Sequence, residues 1–472
     1  MDDRNPLEID FARIRSELGV PDAFPAAVLA GADAAARRVP LSSHDRARRA
    51  NYTIVPFVTI DPESAMDLDQ AFYAQRTGTG FIVLYAIADV GFFVDRDGPV
   101  EAEAWARGVT LYSPDTQTLL YPPSLSHGAA SLLPGVERPC VLLSFEIDEA
   151  GNARLAAVER AAIVSRAKLS YRSVSRHLRA ERERTGSGAL AGEPWSESVA
   201  LLETIGRLRQ HLEAERDGVS LPIASQHVRR SAAALEGYRL SLRSTDDVEG
   251  WNAQVSLMAG IEAARVMIRA GVGLLRVLEP PSPERLTALR ITAAALGVSW
   301  REETSYGGFI RSLDATNPVH AALIFHAAGV MGSARYVAFE GSVPTASRHA
   351  AIGAYYAHVT APLRRLADRY VLDLMVDLFS GSPKAGHATV LHLLPTVMRD
   401  ADRIGRRLEA QIIDQAEARL LAGRVGERFD ALVIRVRDGH VTVQLADPPV
   451  RADVGLPDGP GPPTDVALGD RV

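Results

Sequence analysis

Residues 58–72 read VTIDPESAMDLDQAF and set four acidic side chains, Asp61, Glu63, Asp67 and Asp69, directly after an apolar, strand-like run. Carboxylates brought together raise one another's pKa unless a cation neutralises them. Asp61 ends the apolar run, Pro62 turns the chain, and Asp67 and Asp69 follow six and eight residues later. In an extended segment Asp67 and Asp69 point to the same side, and Asp61 faces them across the turn. Hard oxygen ligands favour Mg²⁺ or Mn²⁺. Such an ion polarises a phosphoryl group and makes hydroxide available near neutral pH. The spacing lacks the central Gly and terminal Glu of an EF-hand. Taken alone, the segment reads equally well as a solvated acidic turn.

Those carboxylates need a scaffold, and the chain has ample material for one. Its 472 residues are 47% hydrophobic, enough for a large core and more than one domain. The single cysteine, Cys140, excludes an intramolecular disulfide and suits a reducing cytoplasm. The charged N-terminus has no signal-peptide core, and no apolar run is long enough to span a bilayer. The expected setting is therefore cytoplasmic, with no membrane partner. A net charge of −6 argues against a protein that coats nucleic acid, but it does not describe a local groove. Lys168 and Lys384 are the only lysines among 52 basic residues. Coding bias is the main cause, although arginine forks also suit phosphate. No P-loop, GxSxG, HExxH or CxxC pattern occurs, which removes the commonest nucleotide, esterase and zinc readings.

Residues 5–50 read as short helices, with Leu7, Phe11, Ile14 and Leu18 at helical spacing before Gly19. They form either a helix-turn-helix-like module or an arm packed on the next domain. From Asn51 the texture changes to strands: YTIVPFVTI, GFIVLYAIADVGFFV, PCVLLSFEID and ARLAAVERAAIVS. Helical patterns follow at 172–215, broken by TGSGALAGEP, and at 250–275, 283–296, 361–380 and 390–422. Strands first and helices later predict an α+β domain over 51–423. Residues 424–472 alternate around RDGH like the front of an OB-type barrel that stops at LGDRV, either incomplete or cut short.

In order along the chain, FVTIDPESAMDLDQAF, VLYAIADVGFFV, EAEAWARGVTLYSPD, YPPSLSHGAASLLPGVERP, IVSRAKLSYRSV and YYAHVTAPLRRLADRY resemble the catalytic domain of the RNase II (RNB) exoribonuclease family. The final piece resembles that family's S-one-type RNA-binding barrel. About fifty N-terminal residues patterned as helices cannot encode the two cold-shock barrels usual in the family, so a short bacterial form is expected.

The resemblance implies a monomeric enzyme that uses Mg²⁺, or Mn²⁺, to degrade single-stranded RNA, or RNA with a free 3′ end, and releases 5′-monophosphates. The family's acidic motif is D-x5-D-x-D-D. Asp61, Asp67 and Asp69 match its first three positions, and Gln70 stands at the fourth as a neutral, weaker metal ligand. TAPLRRLADR gives Arg364 the phosphate-clamping role, and with Asp69 it forms the expected catalytic pair. Arg365 reads as a helix-surface arginine. Tyr171 matches an aromatic that stacks on the terminal base, and otherwise reads as a half-buried corner residue. Glu409 matches a glutamate near the RNA 3′ end, and otherwise an i,i+4 partner of an arginine. Asp115, His127 and His349 read as architecture: turns, caps and satisfied polar groups. Two rivals stay open: a catalytically weak or inactive RNA-binding protein of the same fold, raised by Gln70, and a metal hydrolase acting on DNA or another phosphoester.

Overall fold

The structure is a computed structural model that describes residues 9–183, 190, 192–219, 225–230, 238–243, 246–314, 317–345, 347–381, 386–437, 440–445, 449–455 and 466–472. Its centre is built from five strands: Ala50–Asp61, Gln70–Thr77, Gly80–Ala88, Glu137–Asp148 and Ala153–Ser170. Neighbours pair antiparallel in chain order, and the first and last strands then pair parallel, with Asp61 opposite Ser170. This closes the sheet into a barrel and leaves it without an edge. Phe57, Phe72, Tyr85, Phe145 and Ile163 are buried and fill the core.

Closure was not expected from the α+β pattern, and the strand Gln70–Thr77 was not among the predicted ones. Its sequence, QAFYAQRT, has buried Ala71 and Phe72 side by side, which hides the period of two. The consequence for the acidic segment is direct. The first strand ends at Asp61, the second begins at Gln70, and the fifth ends at Ser170. Asp61, Asp69 and Tyr171 therefore leave the same end of the barrel.

Helices cover the barrel. Asp247–Ala270 starts where the Asp246 side chain accepts the Val248 N–H, and it stops at Gly271, whose φ of 71° suits glycine. The predicted helix over 361–380 begins only at Leu366. Residues before it form a turn because the buried Asp368 carboxylate accepts the Ala361 N–H and two guanidinium N–H groups of Arg365. The helix His387–Leu421 runs alongside.

The N-terminal helices Phe11–Glu17, Ala26–Ala36 and Ser43–Ala47 share their apolar faces with the rest of the molecule. Phe11 and Ile14 pack on Leu408 and Ile412, while Val28, Ala32 and Ala35 join the main core. Leu7 lies outside the described residues. At the other end, the strands Ala431–Arg437, His440–Leu445 and Arg451–Gly455 form an antiparallel sheet, and Leu432 bridges Arg471. Among the described residues this sheet does not close into a barrel, in keeping with the incomplete OB-type piece expected. Its apolar side packs on Val228 and Leu240 from the hairpin Ser225–Arg230/Tyr238–Arg243. No helix among the described residues is long and apolar enough to cross a membrane.

Candidate active site

Asp69 is the most enclosed of the acidic residues, only 2% exposed. Its Oδ1 accepts the Leu363 N–H at 2.7 Å and its Oδ2 accepts the Arg364 Nε–H at 2.8 Å. The turn that presents those donors is itself anchored: the Arg364 carbonyl accepts the Thr110 N–H, and the Leu366 N–H donates to the Gly108 carbonyl. Burial pushes the Asp69 carboxyl up to about 7, although Arg364 and the Leu363 N–H oppose the shift. Burial likewise pushes Asp61 up to about 6, with Arg364 opposing and Asp67 adding to the rise. Asp67 is 8% exposed and accepts the Tyr112 hydroxyl at 3.2 Å. Glu63 is exposed, and its backbone carbonyl accepts from Lys168 Nζ at 2.8 Å.

Gln70 lies beside these carboxylates and is engaged by the protein. Its amide N–H donates to the Thr360 carbonyl, and its amide oxygen accepts the Tyr85 hydroxyl at 3.2 Å. It thus ties the barrel to the turn that carries Arg364.

A tight knot of three carboxylates was expected from the spacing. Among the described residues no group of three or more His, Cys, Asp or Glu side chains is gathered closely enough to hold a metal ion. Arg364 and the Leu363 N–H hold both oxygens of Asp69. The donor chemistry nevertheless fits a hard divalent cation. Asp61 is largely enclosed, and its carboxylate takes no hydrogen bond among the described residues. Buried carboxyls pushed towards neutrality are groups that a cation would stabilise in ionised form.

Tyr171 follows Ser170, the barrel partner of Asp61, and is half-buried. Burial pushes its hydroxyl up to about 12. A separate cavity of about 560 Å³ is lined by Tyr112, Arg364, Arg365, Asp402 and Glu409. Glu409 is exposed there, on the helix His387–Leu421. The three aspartates and Tyr171 do not line this cavity, so Arg364 and Tyr112 are the links between it and the carboxylates.

Arg365 is not the surface arginine expected. It forms a bidentate pair with the fully buried Asp368, three residues on, and stiffens the turn that aims Arg364. Tyr112 and Asp368 were not singled out in the sequence. Tyr112 lies within the quoted YSPD stretch, but nothing in the spacing ties it to Asp67, 45 positions earlier. Asp115 is satisfied by Arg15, as its architectural reading required. The two histidines depart from theirs: among the described residues, His127 Nε2 and His349 Nδ1 are buried without a hydrogen-bond partner. Burial pushes His349 down to about 4, so it is neutral near pH 7.

Residues 49–380 match the family model for the RNB domain, and residues 427–472 match that for the RNase II-type exonuclease C-terminal S1 domain. Ribonuclease R of Aquifex aeolicus (strain VF5) is 26% identical over 448 residues, covering 92% of this chain and 61% of that protein. Ribonuclease R of Escherichia coli (strain K12) is 28% identical over 335 residues, covering 68% of this chain and 39% of that protein. The chain thus spans about half the length of the curated relatives it matches. In fold it is similar to Mycoplasma genitalium RNase R in complex with ribose methylated single-stranded RNA, with TM-score 0.85 at 20% identity over 98% of this chain and 74% of that one. It is also similar to yeast Ssd1, a pseudonuclease, with TM-score 0.69 at 16% identity over 88% of this chain and 51% of that one. The RNB match takes in well over half of the residues, in a region that contains the barrel, the acidic segment and Arg364, and the chain belongs to the RNB family.

Proposed function

We propose that this protein is a 3′→5′ exoribonuclease that hydrolyses single-stranded RNA, uses Mg²⁺ or Mn²⁺, and releases nucleoside 5′-monophosphates. The observation that carries this reading is the contact between Asp69 and Arg364, which come from 295 positions apart in sequence to meet at 2.8 Å at one end of the barrel. Family membership and the fold shared with RNA-bound RNase R support it.

Asp61, Asp67 and Asp69 would hold the cation, with Gln70 as a neutral neighbour. When bound, that cation supplies Lewis-acid polarisation of the phosphoryl group and a more acidic water. The chain's own residues do the rest. The Arg364 guanidinium, 42% exposed, has donors left beyond its bond to Asp69. These can receive the phosphoryl oxygens and stabilise charge that develops there. Tyr112 holds Asp67 in orientation. Tyr171 offers a π-face to the terminal base, which holds RNA without reading its sequence. Glu409, in the cavity beyond Arg364, contacts the RNA near its 3′ end.

Two observations favour the second reading, a weak or inactive RNA-binding protein: Gln70 is already engaged by Thr360 and Tyr85, and among the described residues three carboxylates are not pre-gathered. Incubating 5′-labelled RNA with Mg²⁺ separates the two. Progressive shortening from the 3′ end, stopped by EDTA and absent on DNA, is expected of the exoribonuclease. Binding without shortening would overturn that reading in favour of the second.

A further inference from the structure

The N-terminal segment touches both walls of the cavity beside Arg364. Arg15 is 6% exposed, and its guanidinium makes a bidentate pair with Asp115 at 2.8 and 3.0 Å. Asp115 occupies the turn of the small hairpin Leu111–Tyr112/Gln117–Thr118, closed where the Ser113 N–H donates to the Thr116 carbonyl. Tyr112 in that hairpin donates to Asp67. A second clamp acts just past the hairpin's far strand. Arg107 donates to the Ala23 and Leu119 carbonyls, and its guanidinium lies 3.8 Å from the centre of the Phe24 ring. Apolar contacts join the same parts: Phe11, Ile14 and Leu111 pack with Leu408, next to Glu409. A two-strand hairpin of this size is not stable by itself, so its geometry is set by what grips it.

We infer that the N-terminal segment is a brace for the Tyr112 hairpin, and that Arg15 is a positioning residue acting through Asp115 on Tyr112 and so on Asp67. The inference rests on the exoribonuclease reading for its catalytic consequence, but not for its structural one. A merely structural Arg15 would weaken the enzyme equally whether or not the Tyr112 hydroxyl is present. A brace would not.

The test is a double-mutant cycle on the full chain, measuring kcat/KM on single-stranded RNA for wild type, Arg15→Met, Tyr112→Phe and the double variant. Arg15→Met is expected to lower kcat/KM roughly ten-fold alone and less than two-fold in the Tyr112→Phe background, the scale of a sub-ångström misplacement. Arg15→Lys, which keeps one charged contact, should recover part of the loss. Equal losses in both backgrounds, or no loss, would overturn the inference. Should Arg15→Met fail to fold, Asp115→Asn runs the same cycle with the apolar contacts intact. Hydrogen exchange over residues 111–118 reads the brace independently of activity: faster exchange in Arg15→Met is expected, and unchanged protection overturns it even if the wild type degrades no RNA.

Discussion

Replacing Asp69 by Asn keeps the side chain's shape and removes its charge, and the structure says what that should do to stability. The carboxyl is buried and pushed from an ordinary 3.8 up to about 7, so the metal-free protein resists its ionisation by roughly 4 kcal/mol, as an order of magnitude. The sign follows from the direction. A carboxyl raised on folding favours the protonated native state, so its contribution to stability is largest at low pH. That contribution is lost as pH rises from about 4 through about 7. Asn cannot ionise, so the loss disappears in the variant. Between pH 5 and pH 8 the stability of Asp69→Asn relative to wild type should rise by about 2–3 kcal/mol. Urea denaturation of both proteins in EDTA at several pH values measures this difference. RNA cleavage by the variant should be absent at every pH, with RNA binding retained. A variant destabilised by the same amount at pH 5 and pH 8 would refute the reasoning. It would mean that the pair with Arg364 holds Asp69 ionised without help from a cation.

Other perturbations follow from the same geometry. Arg364→Ala should lower kcat by about 10²–10³-fold in RNA cleavage assays, and Arg364→Lys should recover little, because lysine restores charge without the fork. Tyr171→Ala should weaken single-stranded RNA binding by roughly 1–3 kcal/mol in a fluorescence titration, by the same amount for each terminal base. Gln70→Asp removes the donor to the Thr360 carbonyl and should cost about 1–2 kcal/mol in chemical denaturation while tightening Mg²⁺ binding in calorimetry. Because burial pushes Asp61 up to about 6, Mg²⁺ binding at pH 6 should release protons, and the release should fade above pH 8 in calorimetry across buffers of different ionisation heat.

The candidate site was legible where its residues are local and opaque where they are not. Asp61 at a strand end, with Asp67 and Asp69 just after it, shows in a dozen residues of sequence. That Arg364 bonds to Asp69 does not show there, because the turn carrying it lies 295 positions on and is held in place through Gly108 and Thr110. Barrel closure has no signature in any one strand, since each reads the same in an open sheet. Arg365 misled for the opposite reason. An arginine three residues before an aspartate looks like a surface helix pair, and here both ends turn inward. Most helices emerged near their predicted bounds. The segment before Leu366 did not, because the side chain of Asp368 competes for its backbone N–H groups.

Anomalous scattering from crystals grown with Mn²⁺ most directly tests whether this end of the barrel is built for a cation. A peak within coordination distance of the Asp61 and Asp67 carboxylates, with Asp69 turned toward it and Arg364 beside it, is the expected result. Saturating Mn²⁺ with no peak there, and Asp69 still wholly engaged by Arg364 and the Leu363 N–H, would contradict it.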